Sequence, residues 1–362
     1  MNDFFETAEI VYNKMGDDDS RKLYQALVMY QLTKEDSFFY DINGDNLNRL
    51  DINIYDKLLD GDKVIFGAGI WGRRIKNLYS DIRFFGFVDN KKNGETIDGM
   101  TVFSLDEMME HVPNAQVIIA VKNNSDEIES QLIRAGVKKG KILNMVDIIS
   151  EADRLFMQRQ YFDLPYMMHD SEEVFVDVGA FDAMSSLNFV KWADGDYKKI
   201  YMFEANLDFH SRIDKKMKDV GAKYTLIPKG LWHEETQLTF FESPHDSEYN
   251  VNLDEHNCFN KSSENKEQWI SHTIDVGRMD DYINERVTFI KMDIEGSEVN
   301  ALRGAERIIK TYKPKLAISV YHKKDDLWTI PKLILEYNPN YRFYLRNYSF
   351  SFGESILYAL PE

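Results

Sequence analysis

Three side chains able to move protons or hold a cation stand just after apolar runs in the second half of this 362-residue chain. Asp293 and Glu295 follow Phe289-Ile290-Lys291-Met292, and His322 follows Leu316-Ala317-Ile318-Ser319-Val320 by one residue. Short apolar runs of this kind read as buried strands, and ligands of open α/β sheets bind beyond the carboxyl ends of strands. A carboxylate–imidazole group at such a place can act in two ways. His322 can be a general base with Asp293 orienting it or the substrate. Alternatively, Asp293, Glu295 and His322 can hold Mg²⁺ or a similar ion, although one imidazole is tolerated rather than preferred by a hard cation. The plain reading is that the two acids cap a helix starting near Ser297 and that His322 ends a strand. Lys291, inside its strand, suits a structural ion pair.

A second constellation lies upstream. Val174-Phe175-Val176-Asp177-Val178 runs into Gly179-Ala180-Phe181-Asp182-Ala183, and Ile200-Tyr201-Met202-Phe203 ends in Glu204. A small-residue turn lets a ligand approach the backbone, and the next helix presents N–H groups to a carboxylate. An acid after the second strand is placed to bind both ribose hydroxyls. Asp177 and Glu204, with Gly179 and Ala180, therefore read as a nucleoside site, the plain alternative being a turn cap and a solvated strand end. A third motif, Gly67-Ala68-Gly69-Ile70-Trp71-Gly72, is a G-x-G-x-x-G between a strand and a helix. Asp89 stands where a ribose-binding acid would follow the second strand of that unit.

These motifs need strands and helices in alternation, and the sequence supplies them twice. Residues 1–60 read as a helical extension, broken at Asn43-Gly44. Residues 61–148 carry strands at Lys63–Phe66, Arg83–Val88 and Gln116–Val121 with helices between, including Ile128–Ala135. Residues 149–171 read as a helical connector. Residues 172–362 carry strands at Val174–Val178, Ile200–Phe203, Thr225–Ile227, Phe289–Met292, Leu316–Val320, Tyr341–Leu345 and Ser355–Leu360. The expected class is α/β, with two doubly wound, Rossmann-like domains. Between residues 243 and 275, His245, His256, Cys258 and His272 match no tight zinc spacing, and the segment reads as a mobile acceptor-binding loop in which Tyr249, Phe259 and Trp269 can stack on sugar rings or equally belong to the core.

The net charge of −17 and the absence of a basic run argue against nucleic acid as a partner. A single cysteine excludes an intrachain disulfide, and no apolar run approaches the ~20 residues of a membrane span. An acidic N-terminus unlike a signal peptide completes an expectation of a cytoplasmic protein without membrane insertion.

Asp177-Val178-Gly179-Ala180, Phe203-Glu204-Ala205-Asn206 and Phe289-Ile290-Lys291-Met292-Asp293-Ile294-Glu295-Gly296 resemble the motifs of FkbM-type methyltransferases. Ala301-Leu302-Arg303-Gly304-Ala305 and Pro314-Lys315-Leu316-Ala317-Ile318-Ser319-Val320-Tyr321-His322-Lys323 follow in family order, so the resemblance spans residues ~172–362. It implies a class I methyltransferase fold: a seven-stranded sheet whose last strand is antiparallel, with the strands before Asp293 and His322 as neighbours. It implies S-adenosylmethionine as cofactor, bound by Asp177, Gly179, Ala180, Glu204 and Asp293. It further implies methyl transfer to a hydroxyl, typically of a sugar or polyketide, a reaction for which the strand-end residues Asp293, His322 and Glu295 are the candidate catalytic group. The sequence departs at Ala183, where the family usually carries Gly, and a β-carbon there is expected to narrow the approach to the cofactor.

Gly86-Phe87-Val88-Asp89-Asn90, Gly94, Ile97-Asp98-Gly99-Met100-Thr101-Val102 and Ser104-Leu105 resemble the N-terminal domain of PglD-like sugar acyltransferases over residues ~62–146. That implies a nucleotide or nucleotide-sugar bound by Gly67, Gly69, Gly72 and Asp89. The leading expectation is an O-methyltransferase acting on a sugar, in a nucleotide-sugar or surface-glycan precursor for polysaccharide biosynthesis. The competing ones are an NAD(P)-dependent oxidoreductase using the N-terminal fingerprint, and a non-catalytic nucleotide-binding scaffold. No Tyr-x-x-x-Lys dyad occurs in residues 61–148 to carry hydride transfer. Oligomeric state is not legible.

Overall fold

A computed structural model of the chain describes residues 2–35, 38, 55–79, 81–121, 123–242, 270–349 and 352–362. Asn43-Gly44 and residues 243–269, with His245, Tyr249, His256, Cys258, Phe259 and Trp269, lie outside the described residues. The chain forms two compact units, Lys34–Met157 and a second composed of Met1–Thr33 with Gln158–Glu362.

In the first unit a six-stranded sheet is built from β1 (Lys63–Phe66), β2 (Gly86–Val88), β3 (Thr96–Ile97), β4 (Met100–Phe103), β5 (Gln116–Ile119) and β6 (Ile142–Asn144), in the order β3-β4-β2-β1-β5-β6. All pairs are parallel except β3 with β4. After their first residues, Lys63 and Gln116, β1 and β5 are apolar and buried, as strands covered by helices are, and Val64, Phe66, Val88, Val117, Ile119 and Leu132 form one buried cluster. The helix Leu105–His111 starts at a full capping box. Ser104 accepts from the Glu107 N–H, and Glu107 accepts from that of Ser104.

The second unit is the class I sheet that the motifs imply. Its strands are β7 (Val174–Val178), β8 (Lys199–Phe203), β9 (Tyr224–Ile227), β13 (Phe289–Met292), β14 (Lys315–Ser319), β15 (Tyr341–Asn347) and β16 (Ser355–Pro361). They lie in the order β15-β16-β14-β13-β7-β8-β9. β16 runs antiparallel to both β14 and β15, and the other neighbouring pairs are parallel. The order reverses between β7 and β13, where two adjacent strands send their chains to opposite sides and leave a crevice. Behind it Phe162, Phe175, Phe189, Trp192 and Phe289 pack ring against ring. A three-stranded sheet of β10 (Gly230–Leu231), β12 (Ile270–Gly277) and β11 (Thr236–Glu242) was not among the expected strands, and it takes in His272 as part of β12.

The two N-terminal helices, Asn2–Lys14 and Asp18–Thr33, belong to this second unit. Asp17 caps the second helix by accepting from the Ser20 N–H at 2.9 Å, and its other oxygen pairs with Arg346 of β15 at 2.6 Å. Ser20 Oγ in turn accepts from the Leu345 N–H and the Arg346 guanidinium. One polar knot therefore caps a helix and fixes it to the edge of a sheet. Among the described residues no helix is long and apolar enough to cross a membrane.

Candidate functional site

The turn after β7 is held from three directions. Gly179 has φ +79°, in the left-handed region that glycine enters freely. A β-carbon there would come closer than 3.0 Å to the carbonyl oxygen of Asp293. The N–H groups of Gly179 and Ala180 both donate to the Phe203 carbonyl, fastening the turn to the end of β8. Lys291 of β13 donates to the Gly179 carbonyl at 2.8 Å and lies 3.1 Å from Asp177. These two are register partners on adjacent strands, so the pairing needs no distortion. Asp177 is fully buried, and it also accepts from Ser185 and Ser186 at 2.6 Å each. Its side chain faces the protein and shapes the turn from below.

Glu204 stands at the mouth of this turn. One carboxylate oxygen accepts from the Phe181 N–H and the other from the Asn206 N–H, both at 2.8 Å. Burial raises its pKa, and those two N–H groups and the more distant Lys291 pull it back. A carboxylate oxygen can accept more than one bond, so each retains capacity for a ligand hydroxyl. Beside it Phe181 is well exposed, packs edge-on to Phe209 at 4.8 Å and lies under the Arg212 guanidinium.

Ala183 takes φ +68°, the left-handed conformation that explains a usual glycine at this place. It has no exposed surface. Its methyl group therefore does not line the open turn, contrary to the expectation that it narrows the cofactor's approach.

At the ends of β13 and β14 the expected acids and imidazole do meet. His322 Nε2 lies 3.4 Å from Asp293 Oδ1 and 3.5 Å from Glu295 Oε2. The parallel register of Met292 with Ile318 brings the two strand ends side by side. The other ring nitrogen, Nδ1, is bonded to Glu298 Oε1 at 2.9 Å. Asp293 accepts from the Tyr161 hydroxyl at 2.7 Å and from Tyr321 at 3.3 Å. Tyr321 also reaches Glu354, which Gln160 holds at 2.6 Å. Glu295 has φ +54°, a strained conformation for a residue with a β-carbon, and such strain gathers at functional sites.

The electrostatics follow from crowding of like charges in a dry place. Burial by itself would lower the pKa of His322, but Glu298, with Asp293 and Glu295 beyond it, outweighs that and raises it to about 10. Burial, with Asp293 and Glu298 nearby, pushes Glu295 up to about 8 against the opposing pull of His322. Burial and Asp293 push Glu354 to about 7, and burial and Glu298 push Asp326 to about 8. One imidazole is thus shared among more carboxylates than its single positive charge can neutralise.

Residues 177–352 match the family model described as the methyltransferase FkbM domain. The matched stretch lies within the second unit, which is thus similar over most of its length to FkbM methyltransferase domains. Among solved structures the chain is similar to the methyltransferase FkbM from Methylobacillus flagellatus KT, with 20% identity, 87% of this chain and 93% of that chain covered, and a TM-score of 0.47. It is also similar to an rRNA methylase from Streptococcus thermophilus, with 17% identity, 59% and 95% covered, and a TM-score of 0.33. A third is SMU.1697c from Streptococcus mutans in complex with SAH, with 12% identity, 59% and 98% covered, and a TM-score of 0.31. No curated protein matches the chain. Residues 61–143 match the family model C2185-like, N-terminal, so the resemblance of that module to PglD-like acyltransferases is not supported.

Within the second unit, Asp293 and Glu295 do not cap the helix Glu298–Arg303, as the plain alternative had them do. Its N-cap, Ser297, makes no side-chain capping bond, and Glu298 itself accepts from the Ile294 N–H. Glu298, Tyr161, Tyr321 and Glu354 escaped the sequence reading. Glu298 has the look of an ordinary acid in a first helical turn, and only its burial shows that it serves the imidazole. In the separate N-terminal unit, Gly67 (φ +112°) and Gly72 form the turn, and a β-carbon on Gly72 would overlap the Gly67 carbonyl oxygen. Asp89 accepts from the Ala68, Lys91 and Lys92 N–H groups, which ties the end of β2 to that turn. Gly69, the N-cap of the helix Ile70–Leu78, faces open space.

Proposed function

We propose that the second unit transfers a methyl group from S-adenosylmethionine to a hydroxyl of a sugar, in a nucleotide-sugar or surface-glycan precursor. The observation that supports this best is the alignment of two half-sites along one crevice. The Gly179 turn and Glu204 stand at the ends of β7 and β8, and the Asp293–Glu295–His322 cluster stands at the ends of β13 and β14. In this reading Glu204 accepts both ribose hydroxyls, and the exposed Phe181 ring flanks the base. Asp293 faces the methionine half and the incoming hydroxyl. The acceptor oxygen attacks the methyl carbon as the carbon–sulfur bond breaks, leaving the sulfur neutral. The hydroxyl proton passes to the carboxylate–imidazole cluster, and holding oxygen, carbon and sulfur in line contributes the remainder. A sugar suits a site walled by carboxylates, which accept hydroxyl hydrogen bonds and repel phosphate backbones. We also place a nucleotide at the Gly67–Gly72 turn of the N-terminal unit, over the open face of Gly69.

The test is calorimetry with S-adenosylmethionine, followed by transfer of labelled methyl to a panel of nucleotide-sugars. Saturable cofactor binding and label in a sugar are expected. A folded protein that binds no S-adenosylmethionine overturns the reading.

A further inference from the structure

The imidazole of His322 is arranged as histidines that ligate metals are arranged, and its environment lacks the partner that arrangement calls for. Its side chain is 9% exposed, and Nδ1 faces the Glu298 carboxylate, whose own side chain has no exposed surface. With Glu298 ionised, Nδ1 carries the ring hydrogen and Nε2 presents its lone pair when the ring is neutral. Among the described residues Nε2 is buried with no hydrogen-bond partner, and so is Glu298 Oε2. Nε2 lies near Asp293 Oδ1 and Glu295 Oε2, at 3.4 and 3.5 Å, yet is aligned for a hydrogen bond with neither. Those separations have another meaning. Two ligands each ~2.1 Å from one ion, at a near-tetrahedral angle, stand about 3.4 Å apart.

We infer that His322 Nε2, Asp293 Oδ1 and Glu295 Oε2 form a divalent cation site, with Glu298 as the carboxylate that fixes the histidine's tautomer and direction. One oxygen each of Asp293 and Glu298 and a ring nitrogen of His322 lie within 4.8 Å of one another, so the supporting carboxylate, the imidazole and one of the two ligand carboxylates are already gathered. Asp293 is oriented in its turn by the Tyr161 hydroxyl at 2.7 Å. A carboxylate–histidine pair behind the ion and a hydrogen-bonded ligand carboxylate are the usual supports of protein metal sites. One nitrogen and two oxygen ligands favour a first-row ion such as Mn²⁺ or Zn²⁺ over Mg²⁺, which prefers oxygen alone. Three protein ligands leave coordination positions open, and an acceptor hydroxyl taking one of them is acidified where the methyl group arrives. This last role rests on the methyltransferase reading, whereas the site itself does not.

The experiment is titration of the full chain, stripped with chelator, with Mn²⁺, followed by electron paramagnetic resonance and calorimetry, without S-adenosylmethionine. One saturable site per chain is expected. Asp293→Asn and His322→Ala should abolish it, with circular dichroism confirming that each variant is folded. Glu298→Gln keeps all three ligands and should weaken Mn²⁺ binding by roughly 10- to 100-fold. No Mn²⁺ or Zn²⁺ binding by the wild type, or undiminished binding in folded Asp293→Asn and His322→Ala, overturns the inference and leaves an ion-paired imidazolium. S-adenosylmethionine binding measured on the same preparation separates the two claims. Cofactor binding without Mn²⁺ sinks the cation site alone, and Mn²⁺ binding without cofactor sinks the methyltransferase reading alone.

Discussion

Gly179→Ala tests whether the turn after β7 and the end of β13 are built as one piece. The backbone at Gly179 is left-handed, which costs an L-residue about 1–2 kcal/mol, partly offset by about 0.4–1 kcal/mol from a stiffer unfolded chain. The added methyl also meets the Asp293 carbonyl oxygen inside contact distance, and because both are backbone, neither can rotate away. Overpacking of this kind costs about 1–3 kcal/mol. The sum is about 1–5 kcal/mol, and a unit of this size loses roughly 2–4 °C of melting temperature per kcal/mol. Gly221→Ala supplies the control. Gly221 has φ +66° in the same unit, and a β-carbon there meets nothing within 4 Å, so only the backbone term of about 1 kcal/mol remains. The assay is thermal melting of wild type and both variants, with cofactor binding measured on each folded protein. Gly179→Ala should melt well below Gly221→Ala and bind S-adenosylmethionine more weakly, because relieving the clash moves Asp293. Equal melting temperatures for the two variants would refute the claim that the turn and the Asp293 carbonyl are in enforced contact.

Glu204→Ala should weaken S-adenosylmethionine by roughly ten- to a hundredfold, the usual ~1.5–3 kcal/mol of a lost charged hydrogen-bond partner, and calorimetry showing unchanged affinity removes it from the site. Arg346→Ala leaves Asp17 without its cation beneath the second helix and should destabilise the second unit by about 3–5 kcal/mol in denaturant melts. Adding Asp17→Asn, which keeps an acceptor for the Ser20 N–H, should recover part of that loss. Two additive losses would show that the pair is not coupled. Asp89→Ala removes the acceptor of three N–H groups around the N-terminal glycine turn and should lower the first unit's stability by about 1.5–3 kcal/mol, read as faster hydrogen exchange at Ala68 and Lys92.

The strands that build the crevice were legible because each is a short apolar run ending in a polar residue, and β7 and β13 match the expected bounds residue for residue. Binary pattern fixes such elements locally. It also places Asp293 and His322 at strand ends, and the resemblance makes those strands neighbours, so their meeting could be expected before any coordinates. Asp177 and Lys291 were legible separately but not as a pair, because a cross-strand pairing depends on register, which chain position does not state. The strands β10–β12 carry no comparable apolar signature. β11 and β12 alternate polar and apolar residues, and their long antiparallel ladder forms only when the two segments meet.

What only the tertiary structure decided is the chemistry's second layer. Tyr161 lies 132 residues before Asp293 and donates to it, and Glu354 reaches Tyr321 across a distance in sequence that no local rule spans. Glu298 has the composition of a helix start, yet its side chain has no exposed surface and faces the His322 ring. The sequence by itself determined which residue types stand at the ends of which strands, because periodicity and turn chemistry are properties of neighbours along the chain. Whether a carboxylate is dry, which nitrogen of a histidine it faces, and how many like charges crowd one cation depend on what packs around it. Those are properties of distant segments brought together, and burial, which sets the strength of every charge in the cluster, exists only once the chain has folded.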